Sequence, residues 1–182
     1  MKIEIIFGGI DPGKTGCIVF LNELGDILAH HSAPLIGKDY DKQHIVTIFK
    51  AYNNFNLYCV LEDVHALNMG GKVSNFDFGR GKGIYEGILM ALKISHSLIT
   101  PKRWQKEVWT AKKQYKPNKK RPTIDTKAMS LITAKMLQPD WDWANISPKT
   151  GAKLSTIDDG FVDAYLIAEY ARRTHQNIGI VK

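Results

Sequence analysis

Residues 57–62, LYCVLE, run apolar without alternation until the final glutamate, and a stretch with helical spacing, about 41–53, stands before them. In that stretch Ile45, Ile48, Phe49 and Tyr52 share one face. A strand reached through a helical crossover lies parallel to an earlier strand, and a strand with no polar alternation is covered on both faces. The chain is therefore expected to build a layered α/β fold.

The earlier strand is close by in the chain. Residues 3–10 (IEIIFGGI) and 16–22 (GCIVFLN) are β-rich runs separated by DPGKT, and 26–31 (DILAHH) follows the turn Glu23-Leu24-Gly25. These three read as an antiparallel meander, with 57–62 parallel to the first of them. Residues 64–79 are rich in Gly, Asn and Ser, which predicts a long surface loop before a helix over about 80–93. A strand near 95–99 ends at Pro101, and a helix covers about 124–137. A connection holding Trp141 and Trp143 leads to a last helix over about 158–173. Thr156, Asp158 and Asp159 are its cap candidates, and Arg172 and Arg173 suit its negative pole. The order is βββαβαβαα in one domain over residues 1–182. The expected class is α/β, a five-stranded mixed sheet flanked by helices.

Composition removes several alternatives. A chain of 182 residues, 44% of them hydrophobic, can bury a core without disulfides or structural metal. Cys17 and Cys59 form no C-x-x-C pair and lie in apolar runs, so they read as buried thiols of a reducing compartment, not as a zinc ribbon or secreted scaffold. Glu4 interrupts the first apolar run and no small-residue cleavage site follows, so no signal peptide is expected. Nowhere do 18 apolar residues occur in succession. The expectation is a soluble cytoplasmic protein, free of membranes and of organic cofactors.

The formal charge of +7 is concentrated in one place. Lys102, Arg103, Lys106, Lys112, Lys113, Lys116, Lys119, Lys120 and Arg121 stand against a single acid, Glu107, and the rest of the chain is close to neutral. Trp104, Trp109 and Tyr115 interleave with these cations. Such a segment suits a nucleic-acid backbone, although a solvated loop would have the same composition.

Four carboxylates come from three separated segments. Asp11 ends the first strand, where Pro12 and Gly13 turn the chain, and Glu62 ends the strand at 57–62. If those strands are neighbours the two acids emerge together, an expensive arrangement unless a cation neutralises it. Asp159 and Asp163 are four apart and share a helix face, with Asp163 inside an otherwise apolar stretch. Helix capping accounts for an acid in the first turn but not for Asp163. The set is made of hard oxygen ligands of the kind taken by Mg²⁺ or Mn²⁺. Two such ions about 3.5–4 Å apart promote in-line displacement at phosphorus.

Five motifs then become recognisable: GIDPGKTG at 9–16, LEDVHA at 61–66, NFDFGRGKGIYEG at 75–87, TPKRWQK at 100–106 and DDGFVDAYLIAEYARR at 158–173. In this order, over nearly the whole chain, they resemble the RuvC-type Holliday junction resolvases of the RNase H-like superfamily, most closely the short RuvC-like enzymes of phages and prophages. The resemblance implies an RNase H-like fold and a homodimeric endonuclease that nicks four-way DNA junctions in symmetric pairs. It also implies two Mg²⁺ ions per site, replaceable by Mn²⁺, held by Asp11, Glu62, Asp159 and Asp163. In the bacterial pattern the last two aspartates are three apart, whereas here Gly160 stands three before Asp163, so Asp158 and Asp159 both remain open as the ligand.

The resemblance adds a role for an aromatic residue, and the residues themselves suggest others. Phe76 or Phe78 would wedge into the junction centre. Arg80 and Lys82, in Gly79-Arg80-Gly81-Lys82-Gly83 at a helix start, would meet a phosphate. Lys106 and Lys127 are candidates for charge on the scissile phosphate, His65 for a group near the metals, and Lys102, Arg103, Lys112, Lys113, Lys119, Lys120 and Arg121 for DNA contact. Other readings stay open: an RNase H-fold nuclease for RNA·DNA hybrids or flaps, an ATPase fragment using the turn at Asp11, or a junction-binding protein without catalysis.

Overall fold

Side-chain alternation divides the central sheet into two apolar faces. In β1 (Ile5–Ile10), Phe7 joins one core cluster, and Ile6 and Ile10 join the other. In β2 (Cys17–Leu21), Cys17, Val19 and Leu21 share the face of Phe7, whereas Ile18 and Phe20 oppose it. Both cysteines are buried and free. β3 (Ile27–Ser32), at the sheet edge, alternates between half-buried and exposed positions. The computed structural model describes residues 4–52, 54–63, 72–117, 119–146 and 152–178.

β2 pairs antiparallel with β1 and β3, completing the expected meander. A small hairpin of β4 (Leu35–Ile36) and β5 (Asp39–Tyr40) precedes α1 (Lys42–Lys50), which Asp41 caps by accepting the His44 amide at 3.0 Å. Ile45, Ile48 and Phe49 face inward, and the chain crosses to β6 (Asn56–Glu62), parallel to β1. α2 (Lys72–Ala91) returns it to β7 (Ser95–Ile99), parallel to β6. The strand order is β3-β2-β1-β6-β7, the mixed five-stranded sheet that the sequence predicts. α1 and α2 cover one face. On the other, α5 (Asp159–Ile178) lies across β1, β2 and β6, with α3 (Pro101–Val108) and α4 (Thr126–Leu137) packed against it. No helix among the described residues is long and apolar enough to cross a membrane.

α5 approaches β1 so closely because Gly9 has no side chain. A Cβ there would stand 2.1 Å from the Ala164 carbonyl oxygen and 2.3 Å from the Ala168 amide nitrogen. Both are backbone atoms, so Gly9→Ala must force strand and helix apart. The expected cost is about 3 kcal/mol, seen as a lower urea midpoint, and an unchanged midpoint would contradict this packing.

The middle of the chain departs from expectation. Residues 72–79 are not loop, because α2 runs without a break from Lys72. Glycine disfavours a helix by about 1 kcal/mol per residue, so the Gly, Asn and Ser of 64–79 read as loop formers until packing is considered. A Cβ on Gly81 would lie 2.2 Å from the Pro12 carbonyl oxygen and 2.4 Å from Tyr40 Oη, so glycine lets α2 close onto the turn after β1. Gly79-Arg80-Gly81-Lys82-Gly83 is therefore interior to α2, with its amides engaged in the helix, and is not a helix-start phosphate cradle. The rest of the expected loop, 64–71, lies outside the described residues, as does His65.

Two further elements went unread. Pro101 ends β7 but also opens α3, at the position where a missing N–H costs nothing. β8 (Ala144–Ile146) and β9 (Lys153–Ile157) form a hairpin beside Trp143, whose ring packs on Phe161 and Tyr165 at 5.0 and 5.1 Å. The last helix also continues beyond Arg173 to Ile178. Arg172 and Arg173 serve the buried Glu169, each 2.7 Å from it, and not a helix end.

Candidate active site

Strand register brings the first two carboxylates together. Ile10 is opposite Leu61 in the parallel pair, so the next rung sets Asp11 beside Glu62 on strands about 4.8 Å apart. Alternation turns both toward α5: Asp11 continues the series Phe7–Gly9, and Glu62 the series Tyr58–Val60. Asp11 Oδ1 accepts the Gly13 amide at 3.1 Å, which stiffens the turn that presents it. Tyr40 Oη donates to the Pro12 carbonyl at 2.8 Å, and Lys14 pairs with Asp77 at 2.8 Å, tying that turn to β5 and α2. Glu62 Oε1 accepts the Trp104 indole N–H at 2.7 Å.

α5 contributes the other acids. Asp158 caps it: Oδ1 accepts the Phe161 amide at 3.0 Å, while the Asp158 amide donates to the Trp143 carbonyl. Asp159 Oδ2 stands 2.5 Å from Lys127 Nζ of α4. Asp163, one turn further along, takes a hydrogen bond from Ser130 of α4. Asp158 thus has a capping task, whereas Asp159 and Asp163 point to the α4 side.

Burial pushes the Asp11 carboxyl up to about 6, Asp163 to about 7 and Glu62 to about 8, against the pull of hydrogen bonds from Gly13, Ser130 and Trp104. The acids add to this by mutual repulsion. Asp158 raises Asp11, Asp11 and Asp163 raise Glu62, and Asp11 and Asp159 raise Asp163, while Lys127 opposes the last. A convergent, oxygen-only set of acids that repel one another fits a hard divalent cation and not zinc. Among the described residues, no three His, Cys, Asp or Glu side chains already stand in ligating geometry.

The basic segment divides into two parts. Lys102, Arg103 and Lys106 are exposed on α3. Lys106 lies two residues beyond Trp104, about 200° around the helix from the side chain that reaches Glu62. Lys112, Lys113, Lys119, Lys120 and Arg121 are exposed in a loop drawn together by the bridge between Tyr115 and Ile124. Between α3 and this loop is a cleft of about 350 Å³, with Lys102, Lys106 and Lys113 beside Trp109, Ile124 and Met129. Trp104 does not belong to this surface. It is wholly buried, edge-on to Trp109 at 6.1 Å, and its expected place among the exposed aromatics is corrected.

On α2, Phe76 is 71% exposed, while Phe78 packs at the Asp11 turn, within 3.1 Å of where a Gly13 Cβ would be. Arg80 pairs with Asp39 at 2.7 Å and Lys82 with Asp63, so both cations already have acidic partners. The sequence reading missed Trp104, Ser130 and Tyr40 as neighbours of the site. One signal was present: Trp104 and Val108, four apart, form the apolar face of an otherwise polar α3.

No family model matches the sequence, and no curated protein does. Solved structures are similar in fold, two of RuvC among them. Thermus thermophilus RuvC in complex with a Holliday junction substrate aligns with 96% of this chain and 96% of its own, at a TM-score of 0.57 and 11% identity. Another Thermus thermophilus RuvC structure aligns with 93% of this chain and 96% of its own, at 0.55 and 10%. The chain has the RNase H-like α/β fold of these RuvC structures.

Proposed function

We propose that this chain is a Mg²⁺-dependent endonuclease that resolves four-way DNA junctions by paired nicks, as a homodimer with one acidic site on each of two strands. The observation that carries this reading is the convergence of Asp11, Glu62 and Asp163 at one end of a RuvC-like sheet, beside an exposed basic segment. Asp11, Glu62, Asp159 and Asp163 would hold two Mg²⁺ ions, which Mn²⁺ can replace. Once bound, these supply the Lewis acidity that activates water and stabilises the leaving oxygen in an in-line displacement at phosphorus.

The remaining residues bind and orient. Lys102, Lys106 and Lys113, which line the cleft, together with Arg103 and the other exposed lysines of the 112–121 loop, neutralise backbone phosphates. Lys127, held beside Asp159, brings positive charge to the scissile phosphate, whereas Lys106, about 200° around α3 from Trp104, is left to backbone contact. Phe76 offers an exposed ring on which a base at the junction centre can stack, worth about 1–3 kcal/mol. Selectivity for position then comes from junction shape and the deformability of its base steps.

The test is cleavage of a synthetic four-way junction beside linear duplex, flap and RNA·DNA hybrid, each with Mg²⁺ and with EDTA. Symmetric nicks on the junction alone, lost in EDTA, are expected. Preferred cutting of hybrid or flap would keep the acidic site but move its substrate, and binding without cutting in Mg²⁺ or Mn²⁺ would leave a junction-binding protein.

A further inference from the structure

A glutamate ligand has one more rotatable side-chain bond than an aspartate, so its carboxylate needs a partner to stay in one place. Asp11 has the Gly13 amide and Asp163 has Ser130. For Glu62 the partner is Trp104, whose indole Nε1 donates to Oε1 at 2.7 Å from a side chain that solvent does not reach. The donor is itself rigidly held. Trp104 sits in the core cluster with Val108 and Ile99, and its helix begins directly after β7, where Ile99 pairs with Glu62.

We propose that Trp104 is a positioning residue for Glu62: its N–H fixes Oε1 and so holds the carboxylate that would take the divalent cation. The inference rests on the metal-dependent nuclease reading above. An indole N–H is a donor only, so Trp104 can neither ligate a cation nor accept a proton from substrate. It acts through Glu62 alone. Partners of this kind, one step behind a ligand, typically govern metal affinity by about 10- to 100-fold.

The experiment measures Mn²⁺ binding without DNA, by the electron paramagnetic resonance signal of the free ion. Trp104 is replaced by β-(3-benzothienyl)alanine, which keeps the ring shape and substitutes sulfur for the N–H, and in a second protein by Trp104→Phe. At least a tenfold loss of Mn²⁺ affinity is expected in both. The benzothienyl protein should melt within about 2 °C of wild type in EDTA, because packing volume is conserved. In a Glu62→Ala background the benzothienyl replacement should have no further effect on Mn²⁺ affinity, since the interaction it removes no longer exists.

Mn²⁺ affinity within twofold of wild type in the benzothienyl protein would overturn the proposal. So would an isostere that unfolds, because the bond would then hold the fold and not the ligand, and so would equal losses with and without Glu62. Wild-type protein that binds no Mn²⁺ would instead remove the metal-site reading on which the proposal stands.

Discussion

Asp163→Asn is expected to lower Mg²⁺-dependent nicking of a four-way junction by at least on the order of 10³-fold while leaving junction binding nearly unchanged. The size follows from the proposed role of Asp163, since an ion held there would supply several kcal/mol of charge stabilisation, at about 1.4 kcal/mol per factor of ten. Binding should survive because the lysines proposed to meet phosphate lie on α3 and the following loop, not on α5. Cutting preserved in this variant would remove Asp163 from the metal site.

The same substitution should stabilise the metal-free protein. Asp163 is held up at about 7 in the fold against an ordinary value of 3.8, so between those values the folded chain binds a proton that the unfolded chain has released. Stability therefore falls as pH rises through that window, and the loss is complete above it. Glu62 extends the window to about 8. In EDTA at pH 8.5, Asp163→Asn should gain about 2 kcal/mol, or roughly 4–8 °C in Tm, with a smaller gain at pH 5. If Asp163 is a ligand as proposed, Mg²⁺ should stabilise wild type more than the variant, since it would bind the folded state through the group that was removed. Equal melting of the two proteins at both pH values would show that Asp163 carries no burial penalty.

Neutralising Lys112, Lys113, Lys119 and Lys120 together to glutamine should weaken junction binding by on the order of 10²-fold in low salt and reduce the salt slope by about 3 to 4. All four are exposed, Lys112 and Lys113 just before the bridge between Tyr115 and Ile124 and Lys119 and Lys120 inside the loop it closes, so the change leaves the core untouched. A weaker complex with the original slope would mean that these lysines do not displace counterions from DNA. Unchanged affinity and slope would make the segment solvated surface.

Local pattern was enough to read much of this protein. The alternation-free run of β6 announced a strand covered on both faces, and the spacing of Ile45, Ile48, Phe49 and Tyr52 announced the crossover helix that makes β6 parallel to β1. Once parallel, those strands put Asp11 and Glu62 at neighbouring ends. The i, i+4 spacing of Asp159 and Asp163 likewise required only a helix. The reading failed where intrinsic propensity and packing disagree. Gly, Asn and Ser disguised residues 72–79 of α2 as loop, although the helix runs unbroken through them and closes onto Pro12 and Tyr40 at Gly81.

What the sequence determined by itself was the identity of the acids, the elements that end in them, and the concentration of cations in one segment. Each of these is a property of residues near in the chain. Only the tertiary structure decided which groups hold those acids: Trp104 on Glu62, 42 residues away, and Lys127 on Asp159, 32 residues away. It also separated Asp158, the cap, from Asp159. The physical reason is that hydrogen bonds between distant segments depend on how α3, α4 and α5 pack on the sheet, through burial and close backbone approach, and no local spacing encodes that arrangement.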